Sequence, residues 1–233
     1  MQERGLDGTP DVPGEASPAA LGGDGPDRSG RKRRAILNAA RVLFLQNGYL
    51  GTSMDDVAAA AGVSKQTVYK HFGDKRRMFV ELLTSDMSGA DASVAALGQA
   101  VRDSNDLETD LRAFARAYLN AVMQPHLIRL RRLVIGEAER FPELAAAWYS
   151  NGPAEAYATF AQWFEELDRR GLLRLQDPVL AAQSFNWLIL SVPLNEAMAR
   201  PIDDSPPSSE LYRYADEGVR VFLAAYGAPR MTS

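Results

Sequence analysis

The sequence predicts an all-α protein in which a small N-terminal three-helix unit precedes a larger helical domain. From Arg31 almost to the end, apolar residues recur with helical spacing, and segments containing Gly or Pro separate the periodic stretches. Runs of Val, Ile and Thr with period-two alternation, which would indicate strands, are missing. We therefore expect helices over residues 31–47, 53–61, 65–72, 75–100, 107–123, 125–140, 142–150, 153–170, 177–199 and 208–226.

The first helix is predicted from a single apolar face. Ile36, Ala40, Leu43 and Phe44 lie at positions i, i+4, i+7 and i+8, which fall on one side of a helix. Gly48 follows at the point where the periodicity stops, and glycine is the residue that most often ends a helix.

Polar residues mark the starts of the next three helices. Thr52 is suited to cap the second helix, and Asp55, three residues further on, is its expected capping partner. Gly62 is expected to end this helix, after which Ser64 can cap the third. Asp74 is expected to cap the fourth helix.

Composition limits the functions that the chain can have. Its 233 residues, 46% of them hydrophobic, suffice for one large domain or two small ones. The absence of cysteine excludes disulfides, thiol catalysis and cysteine-based metal sites. No apolar run approaches the roughly 20 residues of a membrane span, and the first ten residues lack the apolar core of a secretory signal. We expect a cytoplasmic protein without a membrane partner or a cofactor.

The N-terminal segment differs in composition from the rest of the chain. Residues 1–30 are rich in Gly, Pro and Asp and almost free of large apolar residues. Such a segment cannot bury enough surface to offset its ordering entropy. We expect a disordered tail over residues 1–30, a small helical domain over 31–80 and a larger helical domain over 81–228.

Positive charge is concentrated in one short part of an acidic chain. Residues 31–80 contain 10 basic and 3 acidic side chains, net +7, although the whole chain has a net charge of −4. The stretch VSKQTVYKHFGDKRRMF (63–79) alone contains five Lys and Arg residues. Such a segment is typical of a module that faces a polyanion, and charge alone leaves open the alternative of a well-solvated surface.

Two short helices joined through Gly62 predict a helix-turn-helix motif. Ala58 is small enough for the two helices to approach, and Val68 can anchor the second helix. With Val63, Val68 and Phe72 directed inward, the opposite side of the third helix is available to the major groove of DNA. Double-stranded DNA is therefore the expected partner of this segment.

The sequence ILNAARVLFLQNGYLGTSMDDVAAAAGVSKQTVYKHFGDKRRMF (36–79) resembles the DNA-binding domain of TetR-family transcriptional regulators. The matching features are Ala39-Ala40, Phe44, Gly48-Tyr49, Thr52, the AGVS turn (61–64), VYKHF (68–72) and Lys75. The family more often has a small residue at the position of Gln66 and Glu at the position of Arg76, and these departures leave the operator sequence open.

The resemblance implies roles for individual residues. Thr52 and Ser53 correspond to phosphate contacts at the start of the second helix, and Tyr69, His71 and Lys75 to further phosphate contacts. Phosphate contacts set the position of a protein on DNA, whereas contacts to base edges select the sequence. The residues placed for base contacts are Lys65, Gln66 and Thr67, and the predicted DNA-binding set is completed by Ser64 and Lys70.

Several of these positions have structural alternatives. Tyr69 could pack against the first helix, His71 could cover Phe72, and Gln66 could be an ordinary solvated residue. The basic run Arg31–Arg34 stands before the apolar part of the first helix. It could reach a phosphate or the minor groove as an arm, or it could be a solvated run of charges.

Aromatic residues are concentrated in the C-terminal part, which the resemblance implies is a helical domain that dimerises and holds an effector pocket. An ordinary core is the alternative for any one aromatic residue. Taken together they predict a pocket of mixed apolar and polar character, with Arg116, Asn120, Arg129 and Gln162 nearby. The residues expected to bind a small-molecule effector are Phe114, Tyr118, Trp148, Phe160, Trp163, Gln183 and Trp187.

Residues 170–189, RGLLRLQDPVLAAQSFNWLI, loosely resemble the C-terminal domain of the AefR-like subgroup. The family resemblance implies a homodimer paired through the last two long helices, which binds a near-palindromic operator and is most often a repressor. Effector binding would then move the fourth helix and change the spacing of the two recognition helices. The predicted dimer residues are Leu180, Leu188, Leu190, Leu211, Val219 and Phe222.

Two other classes of function agree less well with the sequence. An enzyme is disfavoured because the two histidines, His71 and His126, are 55 positions apart, cysteine is absent, and no Gly-rich phosphate loop occurs. A helical adaptor that uses the helix-turn-helix for protein contacts is disfavoured by the positive charge of residues 31–80. Salt-dependent DNA binding would distinguish the adaptor from a regulator.

Overall fold

A computed structural model describes residues 26–88, 92–201 and 206–229 of the chain. Within these ranges eleven helices follow one another. They are α1 (Pro26–Asn47), α2 (Met54–Ala60), α3 (Lys65–Phe72), α4 (Lys75–Ser88), α5 (Ala92–Arg102), α6 (Leu107–Val122), α7 (Pro125–Gly136), α8 (Pro142–Asn151), α9 (Pro153–Arg169), α10 (Pro178–Ala199) and α11 (Ser208–Tyr226).

The prediction of an all-α fold is confirmed, although some helix ends differ, and α7 ends at Gly136, four residues before its predicted end. Helix α1 begins at Pro26, so residues 26–30 of the predicted tail are helical, and proline is favoured at the first position of a helix. The predicted helix 75–100 corresponds to two described helices, α4, which extends to Ser88, and α5, which starts at Ala92. Residues 89–91 between them lie outside the described residues. The rest of the predicted tail, residues 1–25, lies outside the described residues.

The N-terminal unit is held together by a buried cluster from α1 to α4. The Phe44 and Phe79 rings pack edge to face with their centroids 4.8 Å apart, and Tyr49 packs against Phe79 at 5.2 Å. Leu130 of α7 and Leu144 of α8 belong to the same cluster. Helix α4 is therefore packed both within the N-terminal unit and against the C-terminal helices.

The C-terminal helices surround a second, aromatic core. Phe164, Phe185 and Phe222 are each at most 1% exposed, and their rings pack pairwise with centroids 4.9–5.4 Å apart. Helices α10 and α11 cross closely, since a Cβ added to Gly218 would lie 3.0 Å from the Leu188 carbonyl oxygen. This core joins α6, α9, α10 and α11 into one bundle.

The structure corrects much of the predicted dimer face. Leu190, Leu211, Val219 and Phe222 are buried in the aromatic core, because their sides of α10 and α11 face α6 and α9. Leu180 and Leu188 are exposed, as are Val179, Trp187 and Val192 on the same helix. The apolar surface left on the last two helices is therefore on α10.

Candidate nucleic-acid interface and ligand cavity

The second helix is capped by Ser53 and not by Thr52. The Ser53 hydroxyl oxygen accepts the Asp56 backbone N–H at 3.1 Å, and the Asp56 carboxylate accepts the Ser53 backbone N–H at 3.1 Å. The Asp56 carboxylate also accepts the Ser53 hydroxyl at 2.6 Å, and this bond, followed by the one from the Ser53 backbone N–H, lowers the pKa of Asp56. Thr52 is only 1% exposed, and its hydroxyl donates inward to the Gly48 carbonyl oxygen at 2.9 Å. The Thr52 side chain therefore stabilises the turn that precedes α2, whereas the Ser53 side chain is exposed.

The turn between α2 and α3 has the geometry that the sequence predicts. Gly62 has a φ of +65°, which is the left-handed region that favours glycine. Ser64 caps α3, because its hydroxyl oxygen accepts the Thr67 backbone N–H at 3.2 Å. Val68 and Phe72 are buried, and Val63 packs against the same cluster. These contacts fix α3 with one face inward.

The outward face of α3 carries most of the predicted DNA-binding residues. Lys65, Gln66 and Lys70 are exposed and Thr67 is partly exposed. Lys65 forms an ion pair with Asp55 of α2, which tilts its ammonium group towards the first helix of the motif. Tyr69 is 50% exposed, so half of its side chain is open to solvent.

His71 lies beside Phe72 and remains partly exposed. Its ring centroid lies 6.1 Å from that of Phe72. This position agrees with the alternative in which His71 covers Phe72, and the phosphate contact stays a prediction.

Lys75 has a different contact from the predicted one. It is the first residue of α4, but its ammonium group donates to the carbonyl oxygens of Tyr49 at 2.9 Å and Thr52 at 3.0 Å. The same group lies 4.6 Å from the centre of the Tyr49 ring, and its partial burial lowers the pKa of Lys75. Lys75 thus holds the turn before α2 and the start of α4 together, and its charge is directed away from solvent.

The predicted basic arm is part of a helix. Residues 31–34 lie inside α1, so they do not form an extended arm. Arg33 forms an ion pair with Glu81 of α4 at 2.5 Å, and its guanidinium lies 5.8 Å from the Phe72 ring centre. Arg33 therefore binds α1 to α3 and α4.

A cavity of about 1000 Å³ lies between α6, α7, α8, α9 and α10. Six of the seven residues predicted to bind an effector line it, namely Phe114, Tyr118, Trp148, Phe160, Trp163 and Trp187. Gln183 does not, because it lies one helical turn before Trp187 and beyond the end of the cavity. Of the polar residues expected nearby, Asn120 lines the cavity, whereas Arg116 pairs with Asp216 of α11.

Most of the polar lining of this cavity was not predicted from the sequence. Tyr118 donates to the Asn186 side-chain oxygen at 2.9 Å, and burial raises the pKa of Tyr118. His126 and Arg131 of α7 also line the cavity, and burial lowers the pKa of each of them. The available signal for a buried polar site was Asn186, which stands between Phe185 and Trp187.

Comparisons with known proteins agree with this architecture. Residues 36–82 match the family model for bacterial regulatory proteins of the tetR family. Residues 109–228, about half of the chain, match that of the AefR-like transcriptional repressor C-terminal domain. The chain is a TetR-family transcriptional regulator. It is consequently a DNA-binding protein and not an enzyme, and both resemblances predicted from the sequence are confirmed.

Solved structures of the family are similar over most of their length. A TetR-family regulator from Mesorhizobium loti is 40% identical with a TM-score of 0.79, and the match covers 86% of this chain and 99% of that one. The flavonoid-responsive regulator FrrA is 31% identical with a TM-score of 0.69, and the match covers 86% and 99%. The transcriptional activator FasR of Mycolicibacterium smegmatis is 33% identical over 91 residues, which span only 40% of FasR.

In this TetR-family regulator an ion pair connects the wall of the cavity to the DNA-binding unit. Asp86 of α4 lines the cavity, and its carboxylate accepts two hydrogen bonds from Arg41 of α1. The Asp86 side chain is 2% exposed and that of Arg41 is 30% exposed. Hydrogen bonding to Asp86 raises the pKa of Arg41. The pair therefore links α1 to the part of α4 that borders the cavity.

We expect Asp86→Asn to lower the free energy of unfolding by about 1–3 kcal/mol, because it leaves the Arg41 charge without its carboxylate. The matched control is Asp216→Asn, which removes the carboxylate of the Arg116–Asp216 pair, where both side chains are at least 35% exposed. There the loss should be less than about 1 kcal/mol. Urea denaturation measures both values, and equal losses would contradict the role of burial at Asp86.

In the part of the chain that the structure describes, no helix is long and apolar enough to cross a membrane. The same residues contain no cluster of three or more His, Asp or Glu side chains placed to hold a metal ion.

Proposed function

We propose that this regulator is a cytoplasmic repressor that binds a near-palindromic operator as a homodimer and is released by a small-molecule effector. The observation that carries the proposal is the aromatic cavity beside Asp86, since that residue is bonded to the DNA-binding unit through Arg41. The match to a repressor family model supports the sign of regulation. The name of FrrA as a flavonoid-responsive regulator supports a response to a small molecule.

The outward side of α3 is proposed to enter the major groove. Gln66 and Thr67 would contact base edges, together with Lys65 when it leaves Asp55. Exposed or partly exposed polar groups around them would contact phosphates, and these are Ser53, Ser64, Tyr69, Lys70 and His71. Lys75 and Thr52 would act indirectly, because their hydrogen bonds hold the turn that presents Ser53.

The exposed apolar side of α10 is proposed as the dimer interface. Leu188 follows Leu180 by eight residues, and Val192 follows Leu188 by four. These intervals place the three side chains in one stripe along α10, and Trp187 adjoins it. Such a stripe on a helix that also packs closely on α11 can pair with its own copy around a two-fold axis. Two α3 helices would then reach successive major grooves about 34–36 Å apart.

The coupling between cavity and DNA is proposed to run through α4. This helix packs on α1, α3 and α8, and Asp86 near its C-terminal end borders the cavity. A ligand that contacts this end of α4 can favour one orientation of the DNA-binding unit over another. That preference between two states is what allows the ligand to change operator affinity.

Substitution at Gln66 tests the DNA-reading surface. After footprinting has located the operator on DNA flanking the gene, Gln66→Ala should change the preference at one half-site base pair by about 1–3 kcal/mol. Lys70→Ala is the control from the same face, and it should weaken binding to all sequences alike and reduce the salt slope by about one. Titration of a set of operator variants measures both effects. An unaltered sequence profile for Gln66→Ala would show that the bases are contacted elsewhere.

A transcription assay tests the sign of regulation. Addition of the wild-type regulator to a template that carries the operator should lower transcription from it, and Lys70→Ala should lower it less because it binds DNA more weakly. Increased transcription on addition of the wild-type protein would contradict repression.

A further inference from the structure

The Arg131 guanidinium lines the cavity without a carboxylate partner. It lies on α7, and within the described residues no ion pair or side-chain hydrogen bond joins it to another group. By contrast, Arg41 pairs with Asp86, and the next residue, Arg132, donates to the carbonyl oxygens of Ala197 and Arg200. Arg131 is therefore a half-buried cation whose compensation has to come from elsewhere.

The remaining carboxylates of the cavity do not supply this compensation. Asp86 is occupied by Arg41. Glu155 also lines the cavity, but it is exposed and forms no ion pair with Arg131. The ionisable groups that influence Arg131 electrostatically are the phenols of Tyr157 and Tyr118, which are neutral at physiological pH. A cation that burial has partly stripped of water is unfavourable unless it is paired.

The apolar walls indicate what kind of molecule would carry the missing negative charge. Phe114, Phe160 and Trp163 pack against one another with centroids 5.1–5.4 Å apart and border the same space. Aromatic walls favour flat aromatic ligands through offset and edge-to-face contacts. A guanidinium binds oxygen anions through charge-assisted hydrogen bonds in a fixed geometry.

We propose that the cavity takes an aromatic molecule with an anionic oxygen group, such as a carboxylate, sulfonate or phenolate, and that Arg131 binds this group. The inference rests on the proposed function, because it specifies the effector class of the same cavity. Arg131 selects acidic over neutral aromatic ligands, and the aromatic walls supply the affinity that both kinds share.

Two fluorescent probes with the same aromatic framework test this selection. 8-Anilinonaphthalene-1-sulfonate carries an anionic oxygen group, and N-phenyl-1-naphthylamine lacks it. Arg131→Met should weaken binding of the sulfonate about 10- to 100-fold and leave the neutral probe within about twofold, because only the charge-assisted hydrogen bonds are lost. Arg131→Lys should retain part of the preference. Arg129→Met, an exposed position on the same helix, should change neither probe.

Further measurements separate this role from a structural one. Because Arg131→Met removes an unpaired, partly desolvated charge, its melting temperature without ligand should equal or exceed that of the wild type, and operator binding should be retained. Ala121→Trp and Ala156→Phe, on two different walls, should each exclude both probes. Circular dichroism and operator binding identify which of the two blocking variants is folded.

The outcomes distinguish this inference from the proposed function. If both probes enter the cavity and Arg131→Met binds the sulfonate as tightly as the wild type does, the assignment of Arg131 is overturned while the cavity stays a ligand site. If neither probe binds the wild type, or if binding survives in a folded blocking variant, the cavity is not the site, and both proposals are contradicted.

Discussion

Leu188→Glu is expected to convert the proposed dimer into a folded monomer and to lower operator affinity by about 10²- to 10⁴-fold, the gain that linking two binding modules supplies. Leu188 is 37% exposed and lies on α10, about two turns after Leu180 and about one turn before Val192. In a two-fold interface the substitution would place two carboxylates where apolar side chains meet, and neither would have a partner. Light scattering and operator titration measure the two effects.

The control for this prediction is Ile135→Glu. Ile135 is 54% exposed, also on a helix, but it lies on α7 and outside the α10 stripe. This variant should stay dimeric and bind the operator as the wild type does. A Leu188→Glu protein of unchanged mass in solution would place the interface on another surface.

Phe222→Ala should lower the free energy of unfolding by about 3–5 kcal/mol, which is the usual result of emptying a fully buried aromatic position. Phe222 is 0% exposed, and its ring centroid lies 4.9 Å from those of Phe164 and Tyr226 and 5.1 Å from that of Phe185. The transfer free energy of the ring and the cavity left behind both contribute. Urea denaturation, with an unchanged m value, measures the loss.

Tyr149→Ala provides the comparison for an exposed ring. Tyr149 is 54% exposed, so its removal should change stability by no more than about 0.5 kcal/mol. Phe222 would lie in the dimer interface, as the sequence predicts, if Phe222→Ala lowered the free energy of unfolding by no more than this and abolished dimerisation.

Local signals in the sequence were sufficient to predict the helix-turn-helix motif. They were not sufficient to predict which way some of its side chains point. Gly62 and Ser64 mark the turn because their roles depend only on neighbouring residues. Thr52 and Ser53 are both good capping residues, and the choice between them depends on the hydrogen bond from Thr52 to Gly48. The position of Lys75 was predictable, but its bond to the Tyr49 carbonyl oxygen spans 26 residues and arises only in the fold.

The last two helices illustrate the limit of periodicity. Apolar residues occupy several sides of α10, so no single face could be assigned to the core, and Leu188 and Leu190 were indistinguishable in sequence. Only packing against α9 and α11 shows that Leu190 is buried and Leu188 is not. Aromatic cavity residues were predictable as a group because large rings collect in one core. Arg131 was not, since its lack of a partner is a property of its surroundings.

The unpaired charge of Arg131 also bears on the free energy of unfolding of the protein without ligand. A molecule that binds only the folded state adds RT ln(1 + [L]/Kd) to the free energy of unfolding, about 2.7 kcal/mol at one hundred times Kd. A ligand whose anionic group neutralises Arg131 would also remove the cost of holding that partly buried charge without a partner. The heat resistance and the cellular lifetime of the regulator would therefore report the concentration of the molecule to which it responds.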